Sequence, residues 1–167
     1  MIQKKICMLG SFAVGKTSLV RRFVESIFSD TYHTTVGVKI DRKIVHVNGA
    51  EINLVLWDLY GDDDFQKIRW SYFQGASGYL LVADGTRRFT LEKAVELEER
   101  ARKEIGAVPF VFVINKCDLL DQWEIDPEME QQLAAKKWTV LRSSAKSGEG
   151  VEQAFSQLAR KISGWPC

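Results

Sequence analysis

The amino-acid sequence predicts an α/β fold in a single domain over residues 1–167: a six-stranded, mostly parallel sheet with one antiparallel edge strand and helices on both faces. Three observations predict it. Apolar runs alternate with helical patterns along almost the whole chain, which is the sequence form of a parallel sheet covered on both sides. Asn48-Gly49, the strongest short hairpin signal, joins two of the runs and makes them antiparallel neighbours at one edge. A glycine-rich loop, Gly10-Ser11-Phe12-Ala13-Val14-Gly15-Lys16-Thr17, follows the apolar run Ile6-Cys7-Met8-Leu9 and precedes a helical pattern.

Strands are expected at residues 3–9, 38–47, 51–57, 78–84, 109–115 and 138–142. The runs at 54–57, 79–82 and 110–114 are nearly continuous in apolar residues, so both of their faces belong inside. The first helix spans about Lys16 to Glu25, with Leu19, Val20 and Phe23 on one stripe. A short segment of irregular helical pattern follows Asp62. The next helix covers about Thr90 to Ile105 and carries i,i+4 charge pairs such as Glu99 with Lys103. Asp126-Pro127 offers an N-cap and a proline at the first helical position. The last helix, about Gly150 to Ile162, aligns Val151, Ala154, Phe155, Leu158 and Ile162.

A chain of 167 residues can bury a full core without disulfides or structural metal. Lys and Arg number 23 against 22 Asp and Glu, a net charge of +1, so bulk charge offers nothing to nucleic acid and no such partner is expected. No apolar run approaches the ~18 residues of a membrane span, and Met1-Ile2-Gln3-Lys4-Lys5 leads straight into the first strand. A cytoplasmic protein is expected. Cys7, Cys117 and Cys167 share no metal-ligand spacing and are expected reduced, the first two as small core residues.

The loop fits Gly-x-x-x-x-Gly-Lys-[Ser/Thr] between strand and helix. In that setting the backbone N–H groups of Gly10 through Ser18 cradle the α- and β-phosphates of a nucleotide, aided by the helix dipole. Lys16 reaches the β- and γ-phosphates, and the Thr17 hydroxyl ligates a shared Mg²⁺. Asp58, at the end of the third strand, can hold Mg²⁺ through water, and Gly61 can bring its N–H to a γ-phosphate. Asn115-Lys116-Cys117-Asp118 ends the fifth strand, where the Asp118 carboxylate can accept both N1–H and the N2 amino group of guanine. In Ser143-Ser144-Ala145-Lys146 a backbone N–H can meet guanine O6 while the Lys146 stem covers the ring. Taken singly, Asn115 to Asp118 also suits an ordinary strand-ending turn, and the serines a helix cap.

In this order the motifs resemble the small GTPases of the Ras superfamily over essentially the whole chain. Thr34-Thr35-Val36-Gly37-Val38, Trp57-Asp58, and Phe65 through Tyr72-Phe73-Gln74-Gly75-Ala76 resemble the Rab branch most closely. The resemblance implies a G-domain, a P-loop NTPase fold, that binds GTP and GDP with Mg²⁺ and hydrolyses GTP to GDP and phosphate. It makes Thr17, Thr35 and Asp58 the metal residues, Lys16, Thr35 and the residue at 62 the catalytic ones, and Phe28 an edge-on contact to guanine. Tyr32 would close over the phosphates, Asp30 would approach the ribose and Trp57 would lie on the effector face. The residues alone equally suit Phe28 as a half-buried aromatic at a helix end and Trp57 as a core residue. Effectors, exchange proteins and activating proteins would meet the segments around Thr35 and Gly61, with Lys39, Arg42, Trp57, Lys67 and Trp70 as exposed candidates. A monomer is expected.

Four departures from the family pattern qualify this picture. Asp62 stands where the family carries a glutamine that orients the attacking water. A carboxylate cannot donate the amide's hydrogen bond, and at ~5 Å from a γ-phosphate it repels each unit charge by about 3 kcal/mol at an effective dielectric near 20. Slow hydrolysis is expected. Asp62, Asp63 and Asp64 also suit the acidic first turn of a helix. Phe12 lies in the loop where the family has a small residue, projecting toward the γ-phosphate into the path of an arginine finger worth roughly 10³–10⁵ in rate. Leu59-Tyr60 replaces a smaller pair and puts a ring beside Gly61, where Tyr60 and Phe12 can stack. Finally, Cys167 lacks the three following residues of a prenylation signal, so membrane contact is expected only through an anchor outside this sequence.

Two readings of function remain at this stage: a slow GTPase switch, and a GTP-binding interaction module with little or no hydrolysis. A P-loop kinase or ATPase would have no use for Lys116 and Asp118.

Overall fold

The computed structural model describes residues 1–29, 37–59 and 68–164. Side chains alternate across β1 (Ile2–Gly10), so Ile6 and Met8 enter one apolar layer and Cys7 and Leu9 the other. That is why residues 6–9 are apolar without a break. The same logic holds for β4 (Gly78–Asp84), buried at every position, and β5 (Phe110–Asn115), buried at all but its first. With β2 (Val38–Val47), β3 (Ala50–Leu59) and β6 (Val140–Arg142) they form one sheet in the order β2-β3-β1-β4-β5-β6. Only the β2–β3 pair is antiparallel. Its turn holds Asn48 at φ 49° and Gly49 at φ 81°, the two left-handed residues that a type I′ hairpin requires.

On one face, α1 (Lys16–Glu25) and α4 (Val151–Ile162) lie together, joined by the Phe23 and Phe155 rings stacked 4.0 Å apart. The other face carries α2 (Arg88–Ile105) and α3 (Pro127–Ala135). Asp126 caps α3 as expected, accepting the Met129 N–H at 2.8 Å, and Glu99 pairs with Lys103 at 3.6 Å. Helix α2 starts two residues before the expected Thr90. The Thr90 hydroxyl accepts the Asp84 N–H at 2.8 Å and lies 2.7 Å from the Arg87 carbonyl, so it staples the first turn from inside.

Within the described residues, the irregular segment expected after Asp62 is a 3₁₀ turn, Trp70–Phe73. It corrects one expectation. Trp70 is not an exposed contact residue but 9% exposed, its ring 5.1 Å from that of Phe73. In a 3₁₀ turn residues i and i+3 share a face, so both rings enter the core together. Lys39 and Arg42 are exposed as expected, while Lys67 lies outside the described residues. Trp57 is half-buried, with the Lys5 ammonium 3.9 Å from its ring centroid. Cys7 and Cys117 are buried free thiols, and burial pushes the Cys7 thiol up to about 12. Cys167 lies outside the described residues.

Candidate functional site

Strand order reverses at β1, which is flanked by β3 on one side and β4 on the other. In an open parallel sheet such a reversal leaves a crevice beyond the carboxyl ends of the strands. The loop from Gly10 to Gly15 sits at that point and runs into α1. Ala13 at φ 62° and Gly15 at φ 102° adopt left-handed conformations, the alternation by which successive N–H groups form an anion-binding concavity. Two glycines are sterically required. A Cβ on Gly10 would lie 2.5 Å from the Val82 carbonyl oxygen, and one on Gly15 would lie 2.3 Å from Asn115 Nδ2.

The side chains expected at this site converge on the loop. Lys16 is buried and its Nζ donates to the Gly10 carbonyl at 2.9 Å, so the ammonium is folded over the loop rather than extended into solvent. Val14 buries its side chain in the core and offers the site only its backbone. Ser11 is also buried, while Phe12, Ala13 and Ser18 are half-buried. Asn115 Nδ2 donates to the Val14 carbonyl at 3.0 Å, while its Oδ1 accepts from Ser143 Oγ at 3.0 Å and the Ala145 N–H at 3.3 Å. One buried amide at the end of β5 thus joins the loop to the segment that follows β6. Lys116 Nζ donates to the Ala13 carbonyl at 3.2 Å. Ser144 Oγ donates to Asp118 Oδ1 at 2.7 Å, which aims the exposed carboxylate. Arg22, on α1, donates to the Ala145 carbonyl at 2.7 Å and to that of Lys146. Phe28 is half-buried and packs against the layer containing α1 and α4.

Two buried carboxylates face each other in character across this crevice. Burial raises the Asp58 carboxyl above the ordinary range, opposed by the Thr17 hydroxyl that donates to Oδ2 at 2.6 Å and by the charge of Lys16. Its Oδ1 is buried without a hydrogen-bond partner among the described residues. Burial acts on Asp84 in the same direction, but hydrogen bonds from Lys116, Thr86 and Arg87 hold that carboxyl below the ordinary range. Asp84 therefore has its cations within the chain, whereas Asp58 and Thr17 together present the oxygen set that a Mg²⁺ ion shared with phosphates would take. Among the described residues no group of three or more His, Cys, Asp or Glu could hold a metal alone. The donor set fits a Mg²⁺ completed by nucleotide oxygens and water.

Asp30, Tyr32 and Thr35 lie outside the described residues, as do Tyr60 with its expected stacking on Phe12, Gly61, Asp62, Asp63, Asp64 and Phe65. Sequence reasoning missed Arg22, Asp84 and Arg87. Asp84 ends β4 as a carboxylate inside an otherwise apolar run, and that was the signal available for it.

A glycine-rich loop at the reversal of a parallel sheet, with amide, lysine and carboxylate side chains of two other strand ends closing on it, defines a P-loop nucleotide-binding protein. Residues 5–164 match the model of the Ras family. Ras-related protein Rab-13 of Rattus norvegicus is 34% identical over 160 residues, covering 95% of this chain and 79% of that protein. Ras-related protein Rab-8B of Homo sapiens is 33% identical over 163 residues, covering 95% and 77% respectively. The chain belongs to the Ras family, and is Rab-like within it. It is therefore a GTP-binding molecular switch and a GTPase, in a family that binds GTP and GDP with Mg²⁺ and engages effectors, exchange proteins and activating proteins. Among the described residues no helix is long and apolar enough to cross a membrane.

Proposed function

We propose that this chain, as one G-domain, holds GTP through the amides of residues 10–18, with Lys16 on the β- and γ-phosphates and Asn115, Lys116, Asp118, Ser144, Ala145 and Lys146 around guanine. Phe28 contacts the base edge-on and Tyr32 closes over the phosphates. Thr17, Thr35 and Asp58 would hold Mg²⁺, which would supply positive charge to offset that developing on the phosphates. The observation that carries this reading is the buried Asp58 Oδ1, without a hydrogen-bond partner among the described residues, while Oδ2 accepts from the Thr17 hydroxyl at 2.6 Å beside the loop. The γ-phosphate orders the segments around Thr35 and Gly61, and its loss releases them. Lys16 and the loop N–H groups stabilise the charge that forms as water attacks in line.

Hydrolysis is slow in this reading, because Asp62 supplies an anion where an amide would orient water and Phe12 occupies the route of an activating arginine. Single-turnover hydrolysis by the Asp62→Gln variant should run about tenfold faster than wild type, a gain of roughly 1.4 kcal/mol in barrier. Equal rates would reject the role of Asp62. The same two residues favour a second reading, an interaction module that stays loaded: protein purified with mostly GTP bound supports it, and mostly GDP supports turnover.

A further inference from the structure

We propose that Arg87 is a positioning residue for the phosphate loop, fixing the Phe12 carbonyl outward so that the next N–H faces the nucleotide. The inference rests on the reading that residues 10–18 hold the phosphates. In a trans peptide the C=O of one residue and the N–H of the next point to opposite sides, and no cis peptide occurs among the described residues. Whatever grips a carbonyl from behind therefore aims the following amide forward. Three consecutive loop carbonyls are gripped in this way. Arg87 Nη2 donates to Phe12 O at 3.1 Å, Lys116 Nζ to Ala13 O at 3.2 Å and Asn115 Nδ2 to Val14 O at 3.0 Å. The amides they turn are those of Ala13, Val14 and Gly15.

Asn115 and Lys116 belong to the guanine-side motif, but Arg87 comes from the start of α2, and its position is built from below. Its Nε donates to Asp84 Oδ2 at 2.9 Å, and Lys116 Nζ reaches the same oxygen at 2.7 Å. Asp84 is 0% exposed, so one buried carboxylate sits under two cations that each reach on to a loop carbonyl. The turn between Asp84 and Arg87 is itself held firmly. Thr86 N–H donates to Asp84 Oδ1 at 2.9 Å, Gly85 N–H to Asn115 O at 3.0 Å, and Glu124 N–H to Gly85 O at 2.8 Å. A Cβ on Gly85 would lie 2.0 Å from the Trp123 ring, which closes that turn from outside. The planar guanidinium spans carboxylate and carbonyl with two separate nitrogens in a fixed fork, whereas the Lys116 ammonium makes its equivalent span from a single nitrogen.

The test measures equilibrium affinities of the full chain for GDP and for GMP, with Mg²⁺, in wild type, Arg87→Ala, Arg87→Lys and Arg87→Gln. GMP lacks the β-phosphate and serves as the internal control. Arg87→Ala should lose about tenfold in GDP affinity while GMP changes by less than about threefold, with Arg87→Lys and Arg87→Gln intermediate. A role confined to stability would lower the melting temperature and weaken both nucleotides equally. An unchanged GDP-to-GMP ratio in folded Arg87 variants overturns the inference and leaves the site reading intact. If Arg87→Ala does not fold, the ratio in the Lys and Gln variants decides by the same criterion. Failure of the wild type to take up any guanine nucleotide overturns both.

Discussion

Asp118→Asn should cost roughly 10²–10³-fold in affinity for guanine nucleotides, with little change in thermal stability. In the proposed site the carboxylate would offer acceptors to two adjacent donors of guanine. An amide keeps one acceptor and turns a donor toward the remaining N–H, so a favourable contact is lost and an unfavourable one is made. Stability should hold because Asp118 is exposed and its one hydrogen bond among the described residues, from Ser144 Oγ, can be made equally to an amide oxygen. Calorimetric titration with GDP and Mg²⁺, paired with a melting curve, separates the two effects. Undiminished affinity would remove Asp118 from the base site.

Asn115→Ala should cost about a hundredfold in GDP affinity and also lower stability, by about 3 kcal/mol. Asn115 is 2% exposed and its side chain makes three hydrogen bonds among the described residues, to Val14 O, Ser143 Oγ and Ala145 N. Removal deletes all three and leaves buried partners behind. Its signature differs from that of Asp118: both binding and melting temperature should fall, since one amide braces the phosphate end and the base end together. Denaturant melts of the apo and GDP-loaded variant measure this. A loss of stability without loss of affinity would make Asn115 a core residue only.

The sheet was legible because each of its rules acts locally. Alternation along β1, the Asn48-Gly49 turn and the Asp126-Pro127 cap each involve residues within a few positions of one another, and all form as expected. The residues that converge on the loop were legible for a related reason, since strand ends at one edge of a parallel sheet must meet in space. Arg87 and Arg22 were not. Their partners lie 75 and 123 residues away, Phe12 and Ala145, and nothing in a local pattern marks a surface arginine as one that reaches a distant carbonyl. Trp70 was misjudged because an isolated aromatic does not declare its face. Its spacing of three from Phe73 held the information, but only once the turn was known to be 3₁₀. Thr35 and Asp62, to which the proposed function assigns roles in hydrolysis, lie outside the described residues and stand on sequence.

Helix α1 begins in the phosphate loop, and nearly two turns later Arg22 clasps the carbonyls of Ala145 and Lys146. A single rigid rod is thus latched at both ends of the groove. Any tilt of that rod would disturb the phosphate loop and the Ala145–Lys146 segment in one movement, so the two halves of the proposed nucleotide site are mechanically coupled through one helix.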